Sequence, residues 1–283
     1  VLAPLDNPDG SLQAWHVAYP DLQIAGQMPF ECHMEGLPEL SSNAPESLDA
    51  PEAANDCRLI GVFMEASFKT YQDRNSSVTN VQNFFTAFFN EVALLYADEG
   101  VNVAISEIFV WTSQDQIPTN SSSAALQAFG QQRQDNFNGD LAHWVTTGNY
   151  GNGGIAWLDV LCSSYNSNSN SGRFAYSNIA NNYQGVPTYS WTVMVFSHEM
   201  GHNIGSRHTH NCNWPGGAID SCYAVEGNCY SGPAIPRKGT IMSYCHLTNQ
   251  GIDFNQGFGP LPGQKLRDKV SSNNASCLGT IPG

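Results

Sequence analysis

Five residues between positions 198 and 208 have types and spacings that suit one task. They stand in the run His198-Glu199-Met200-Gly201-His202-Asn203-Ile204-Gly205-Ser206-Arg207-His208. On an α-helix, residues four apart project from one face, so His198 and His202 can grip a single ion. Glu199 sits beside them, placed to reach a water at the ion rather than the ion itself. Gly205 comes three residues after His202, where glycine readily takes the left-handed turn that ends a helix. That turn can bring His208 round as a third ligand. Three neutral imidazoles with one position left open are the donor set of a catalytic zinc site, whereas a closed structural site would have drawn on cysteine thiolates. At ordinary residue frequencies the pattern arises by chance at roughly 10⁻⁷ or less per starting point.

Those side chains need a helix beneath them. Residues 188–204 read as one, with Thr188 or Ser190 as N-cap. Its apolar residues fall on two faces, Trp191, Met194 and Val195 on one and Val193, Phe196 and Met200 on another. A helix apolar nearly all round is buried. Upstream, residues 58–68 alternate and predict a first strand. Residues 78–98 carry Val81, Phe84, Phe85, Phe88, Val92 and Leu95 at near-helical spacing, which predicts a long amphipathic helix. A second strand is expected over 101–112, a helix over 121–137 and a third strand over 141–147. Two further strands are expected over 154–162 and 174–179, on either side of a Ser/Asn-rich loop.

With 283 residues, the chain can bury a sizeable core as one large domain, alone or with an appendage. Charged residues make up only 13%, so Asn, Ser, Gln and Thr must supply the polar surface, as suits an extracellular protein. The net charge of -14, from 25 acidic against 11 basic residues, repels polyanions, and no basic stretch offsets it. Nucleic-acid binding is excluded on that ground. Much of the acidic excess falls early, in Glu31, Glu35, Glu39, Glu46, Asp49, Glu52 and Asp56. That stretch reads as a solvated surface segment, with a calcium site or a pro-segment as the alternatives. The eight cysteines include no C-x-x-C pair and read as disulfides made in an oxidising compartment. No apolar run is long enough to span a bilayer, and the first residues lack a signal peptide. We therefore expect a processed, secreted chain. Residues 1–56, rich in Pro and acidic residues, are expected to be an N-terminal extension or pro-segment remnant, and 57–283 the compact domain. Nothing demands a partner subunit, so a monomer is expected.

At His198–His208 the chain resembles the metzincin zinc metallopeptidases. The likeness includes Gly239-Thr240-Ile241-Met242-Ser243-Tyr244, which is similar to that family's Met-turn, and it covers about residues 57–280. The resemblance implies an α/β domain of the α+β metzincin type, with a twisted, mostly parallel, five-stranded mixed sheet and long helices. Zinc would lie in a cleft between N- and C-terminal subdomains, with Met242 as a hydrophobic floor. It also implies a secreted zinc-dependent endopeptidase acting on protein or peptide substrates, with Glu199 as general base. Tyr244 is either a zinc-site residue that stabilises the oxyanion or a packed tyrosine. An edge strand holding Gly154, Ile155, Ala156 and Trp157 would take an extended peptide as a further strand. Residues 213–238, with Trp214, Pro215, Ala218, Ile219, Tyr223 and Ala224, would wall the pocket beyond the scissile bond. Zn²⁺ is the implied cofactor, with Ca²⁺ possible. The cysteine pattern and strand spacing resemble the adamalysin (reprolysin) branch in a bacterial-type form, although Thr209 stands where adamalysins generally carry Asp.

Cys212 follows the third histidine and Cys245 follows the Met-turn, so a Cys212–Cys245 bridge would clamp the two. Cys222–Cys229 would then close a small loop. Cys162–Cys277 would resemble the adamalysin-type bridge to the C-terminal helix. Cys32–Cys57 would staple the extension to the first strand. Alternatively Cys32 would sit on the zinc as an inhibitory thiolate, as metzincin pro-segments do, making a zymogen-like form. A zinc-bound binding module without catalysis is the other reading. Eight cysteines allow about 105 pairings, so sequence leaves the connectivity open.

Overall fold

The structure is a computed structural model, which describes residues 58–148, 150, 153–229, 234, 236–271 and 277–280. Residues 1–56, Cys57 and the expected Cys32–Cys57 bridge lie outside the described residues.

A mixed sheet forms the frame. Strand β1 (Arg58–Ala66) sends Ile60, Val62, Met64 and Ala66 into one core and Phe63 into another, so both of its faces are buried. It pairs in parallel with β2 (Asn102–Val110) and β3 (Leu141–Thr146). Strand β5 (Phe174–Asn178) adds in parallel to β3, and the short β4 (Gly154–Ala156) runs antiparallel along β5. The order β2-β1-β3-β5-β4 places β4 at the edge. This is the expected five-stranded mixed sheet, extended by a short antiparallel strand, β6 (Gly279–Thr280), on the start of β1. Pairing with β3 begins only at Val62, so the first residues of β1 have a free hydrogen-bonding edge that β6 takes up.

Helices cover both faces. On one face α2 (Val78–Ala97) is N-capped by Ser77, whose hydroxyl accepts from Asn80 N, and it buries Phe84, Phe85, Phe88 and Phe89. Phe88 and Phe89 meet Phe196 edge-on, at centroid separations of 5.4 and 5.8 Å, on α4 (Trp191–Ile204). The Tyr96 hydroxyl donates to Ser197 O at 2.8 Å, tying the two helices polar-to-polar as well. From Thr192 to Ile204 every residue of α4 is buried, as its two apolar faces predict. On the opposite face α3 (Ser122–Arg133) packs Phe129 against Trp144 and Phe174. Helix α5 (Pro260–Ser271) closes the domain.

Two expected strands are shorter than their apolar runs. The first ends at Ala66 because Ser67 leaves the sheet to cap a short helix, α1 (Phe68–Asp73). Its hydroxyl accepts from Thr70 N at 3.1 Å and donates to Thr146 at 2.9 Å, a local bond that competes with strand continuation. The strand expected over 154–162 stops at Ala156. Beyond it the amides of Asp159, Val160 and Leu161 donate to His202 O and Asn203 O instead of to a strand, and Asp159 and Cys162 have positive φ. Apolar character there serves the end of α4.

Candidate metal centre

Helix α4 ends where the sequence requires the chain to turn. Gly205 has φ +127, its N–H donates to His202 O at 3.0 Å, and Ser206 N donates to Gly201 O at 2.9 Å. This pair of bonds is a Schellman arrangement, and it satisfies carbonyls the helix would otherwise leave open. A Cβ at 205 would also lie 2.9 Å from Asp159 Oδ1. The turn returns the chain so that His208 faces His198 and His202. Nε2 of His202 lies 3.1 Å from Nε2 of His198 and 3.1 Å from Nε2 of His208, and all three rings are buried.

The outer nitrogens decide the tautomers. Nδ1 of His198 donates to Ile241 O at 2.8 Å, and Nδ1 of His202 to Ser206 O at 2.7 Å. Nδ1 of His208 donates to a Glu226 carboxylate oxygen at 2.6 Å. Those partners are acceptors, so each ring carries its proton on Nδ1 and turns a lone pair inward. Burial first, and the neighbouring rings second, push His198 far below the usual histidine range and His202 down to about 3. Burial likewise lowers His208. The neutral rings therefore present converging lone pairs, which repel one another unless a cation sits among them. The donor set fits a metal ion, and these three histidines form a metal-competent group.

Glu199 is buried beside the ligands and packs onto the edge strand: a Cβ on Gly154 would fall 2.3 Å from Glu199 Oε1 and 2.5 Å from its Cγ. Gly154 is thus the residue that leaves room for this carboxylate. Ile155, Ala156 and Trp157 follow it, all buried, and Trp157 O accepts from Asn203 Nδ2 at 2.9 Å. The turn at Met242 lies under the ligands. Its sulfur would be 2.8 Å from a Cβ on Gly201, the residue just before His202. Met242 O accepts from Thr209 N at 3.1 Å while the neighbouring Ile241 O holds His198, so one turn fixes two ligand segments. Tyr244 is buried with its ring 4.6 Å from that of His208 and 6.0 Å from that of His198.

Residues 53–253 match Reprolysin_5, described as Metallo-peptidase family M12. The chain belongs to the M12 metallopeptidases. A curated relative, the disintegrin and metalloproteinase domain-containing protein adm-2 of Caenorhabditis elegans, is 24% identical over 76% of this chain, which spans 22% of that protein's length. Among solved structures, metalloproteinase-II from Bacteroides fragilis is 14% identical with a TM-score of 0.34 over 55% of this chain and 44% of that one. A structure titled as a chaperone-substrate complex is 16% identical with a TM-score of 0.41 over 56% of this chain and 25% of that one. Likenesses of that order carry no argument about activity.

Around the centre of this M12 chain Cys162 pairs as expected, and the other four described cysteines exchange partners. Cys162 joins Cys277, tying the segment after β4 to the tail that forms β6. The other two bridges among the described residues are Cys212–Cys229 and Cys222–Cys245, which corrects the expected Cys212–Cys245 and Cys222–Cys229. The backbone explains the exchange. Glu226 N donates to His210 O and Cys212 N to Glu226 O, laying the 226–229 segment beside Cys212. Ile219 N donates to Thr209 O, and Asp220 caps Cys222 N at 3.0 Å, which brings Cys222 to the Met-turn and so to Cys245.

Glu226 is the site residue that sequence reasoning missed, since nothing in Val225-Glu226-Gly227 separates it from an ordinary surface carboxylate. Burial works to raise its carboxyl, but the hydrogen bond from His208 and the nearby His210 ring prevail and hold it well below the usual range. The turn at Gly205 carries a measurable consequence. Gly205→Ala should cost about 1–3 kcal/mol of stability and weaken metal uptake, because the direction of His208 depends on that turn. Urea unfolding with and without added metal measures both effects, and a variant as stable and as tightly metallated as wild type would remove Gly205 from this role.

Proposed function

We propose that the chain is a secreted zinc-dependent endopeptidase, with residues 57–283 as its catalytic domain. The observation that carries this reading is the meeting of three inward imidazole lone pairs with a buried carboxylate that rests on an edge strand. Nε2 of His202 lies 3.1 Å from Nε2 of His198 and from Nε2 of His208, close enough for the three rings to share one ion. Three disulfides accord with an oxidising, extracellular setting.

His198, His202 and His208 would hold the zinc, with Met242 packed beneath the helix that presents two of them. Bound zinc supplies a Lewis acid that polarises the scissile carbonyl and makes a water acidic near neutrality. Glu199 takes the proton from the attacking water on a carboxylate oxygen and delivers it to the leaving amine nitrogen. The β4 edge, from Gly154 to Ala156, pairs only with β5 among the described residues, so an extended peptide can add along it and set its carbonyl beside Glu199. Trp157 continues that rim. Tyr244, whose ring lies 4.6 Å from that of His208, would donate a hydrogen bond to the oxygen that gains charge as the carbonyl is attacked.

Casein cleavage by the purified chain tests the reading. Activity should vanish with a zinc chelator, return with zinc, and fall by about 10²–10⁴-fold in Glu199→Gln, while that variant keeps its zinc. A zinc-loaded Glu199→Gln that still cleaves casein well would defeat the mechanism. Gly154→Ala forces the Glu199 side chain aside, and displacement of a catalytic group by about 1 Å costs on the order of 10²-fold in rate. Its kcat should drop while zinc stoichiometry stays at the wild-type value; unchanged kcat would separate the edge strand from Glu199. For Tyr244→Phe we expect kcat lowered by about 10²-fold with KM unaltered, and equal kcat would leave Tyr244 as a packing residue only.

A further inference from the structure

We propose that Glu226 is the positioning residue for the third metal ligand, holding His208 with Nε2 turned toward the ion and placing a negative charge one ring away from it. The inference rests on the metal-site reading above.

The three ligands are supported unequally. His198 and His202 stand on a buried helix, and their outer nitrogens meet main-chain carbonyls, Ile241 O and Ser206 O, whose places are set by the fold itself. His208 follows a helix break and has no helix under it. The residue after it, Thr209, gives its hydroxyl to Met242 O at 3.3 Å, so the adjacent side chain does not hold the ring. Orientation of His208 comes instead from a carboxylate 18 positions along the chain. A carboxylate hydrogen-bonded to the far nitrogen of a ligand imidazole fixes its tautomer and rotation and raises its basicity toward a cation.

Glu226 is itself firmly placed. Its Oε1 accepts from His208 Nδ1 at 2.6 Å and lies 3.4 Å from His210 Nε2, while Oε2 accepts from Asn211 Nδ2 at 3.0 Å. Its own backbone bonds at both ends, N to His210 O at 3.0 Å and O from Cys212 N at 2.8 Å. Three residues on, Cys229 is bonded to Cys212, so the segment carrying the carboxylate cannot drift from the segment carrying the ligand. Gly227, at φ +104 and packed against Cys212, lets the chain turn between them. The His210 ring stacks on His208 at 4.8 Å and 9°, closing the remaining side. A surface carboxylate with no task at the ligand would not require a backbone bridge, an amide partner and a disulfide to hold it.

The test is zinc affinity of the full chain, measured on metal-free protein by competition with a chromophoric chelator, together with melting of the metal-free and zinc-loaded forms. Glu226→Ala should raise the zinc dissociation constant by about 10–100-fold. Glu226→Gln should raise it less, because its amide oxygen still accepts the His208 proton without the charge. The metal-free variants should melt with wild type, and only the upward shift on adding zinc should shrink. Wild-type affinity in Glu226→Ala overturns the proposal. So does a loss matched by an equal fall in metal-free melting temperature, which marks a purely structural role; if Glu226→Ala does not fold, the isosteric Gln variant decides by the same two measures. Failure of the underlying reading looks different: the wild-type chain then takes up no zinc, and both fall together. A wild-type chain that binds zinc but cleaves nothing, with Glu226→Ala still weakened, supports the positioning role and rejects only the peptidase.

Discussion

Three imidazole lone pairs lie 3.1 Å apart in successive contacts, in an interior where each ring is buried. Left to themselves the rings would rotate, protonate or open to water. Burial works against protonation here, since a charged ring loses its solvation. Rotation is prevented because each outer N–H is bonded to an acceptor from a different part of the chain: the Met-turn, the helix terminus and the 213–238 segment. The cluster is therefore preorganised by its outer shell, and much of the surrounding architecture exists to deliver those three acceptors.

Helix α4 meets the same constraint from the other side. A helix that carries two histidines, a glutamate and an asparagine, and is buried all round, must find a partner or a tight van der Waals seat for each polar group. Asn203 Nδ2 donates to Trp157 O and to Phe174 O, both at 2.9 Å, which binds the helix to the edge strand and its neighbour together. The helix carbonyls of His202 and Asn203 receive the amides that follow β4. Through these bonds the distance from ligand helix to edge strand becomes a fixed quantity. The missing side chain at Gly154 then brings the Glu199 carboxylate against the strand. The spacing between the buried Glu199 carboxylate and the edge strand is thus written into hydrogen bonds remote from both.

Which of this can be read from residues alone depends on the range of the interaction that determines it. The spacing of His198, His202 and His208 is local helix geometry plus one glycine turn, so the clustering of the three histidines was legible. The long helix with Phe84, Phe85 and Phe88 and the positions of the strands follow from periodicity in the same way, while their mostly parallel pairing was implied by the resemblance. Short β4 and helix α1 were not legible, because an apolar run reads as strand whether its amides bond to a neighbouring strand or, as at 159–161, to a helix end. At Ser67 a single hydroxyl decides the matter locally against the run. Strand β6 depends on where β3 begins to pair, a property of register with no signature in Gly279 and Thr280. Glu226 reaches His208 only through a fold of the intervening segment, and its chemistry is that of any glutamate.

The exchanged cysteine pairs show why that segment resisted a spacing argument. Joining Cys212 to Cys245 would have linked the third-ligand segment to the Met-turn, but that junction is already made: Thr209 N and its hydroxyl both bond to Met242 O. A bridge there would constrain little that is still free. Among its described residues the intervening stretch from Asn213 onward has few regular backbone pairs, and two bridges bind it instead, one to each side of the site. Loops of 17 and 23 residues lose roughly 3 kcal/mol of unfolded-state entropy each when closed, so covalent links are most effective where hydrogen-bonded ladders are absent. The pairing follows the distribution of non-covalent support, and that distribution exists only once the chain has folded.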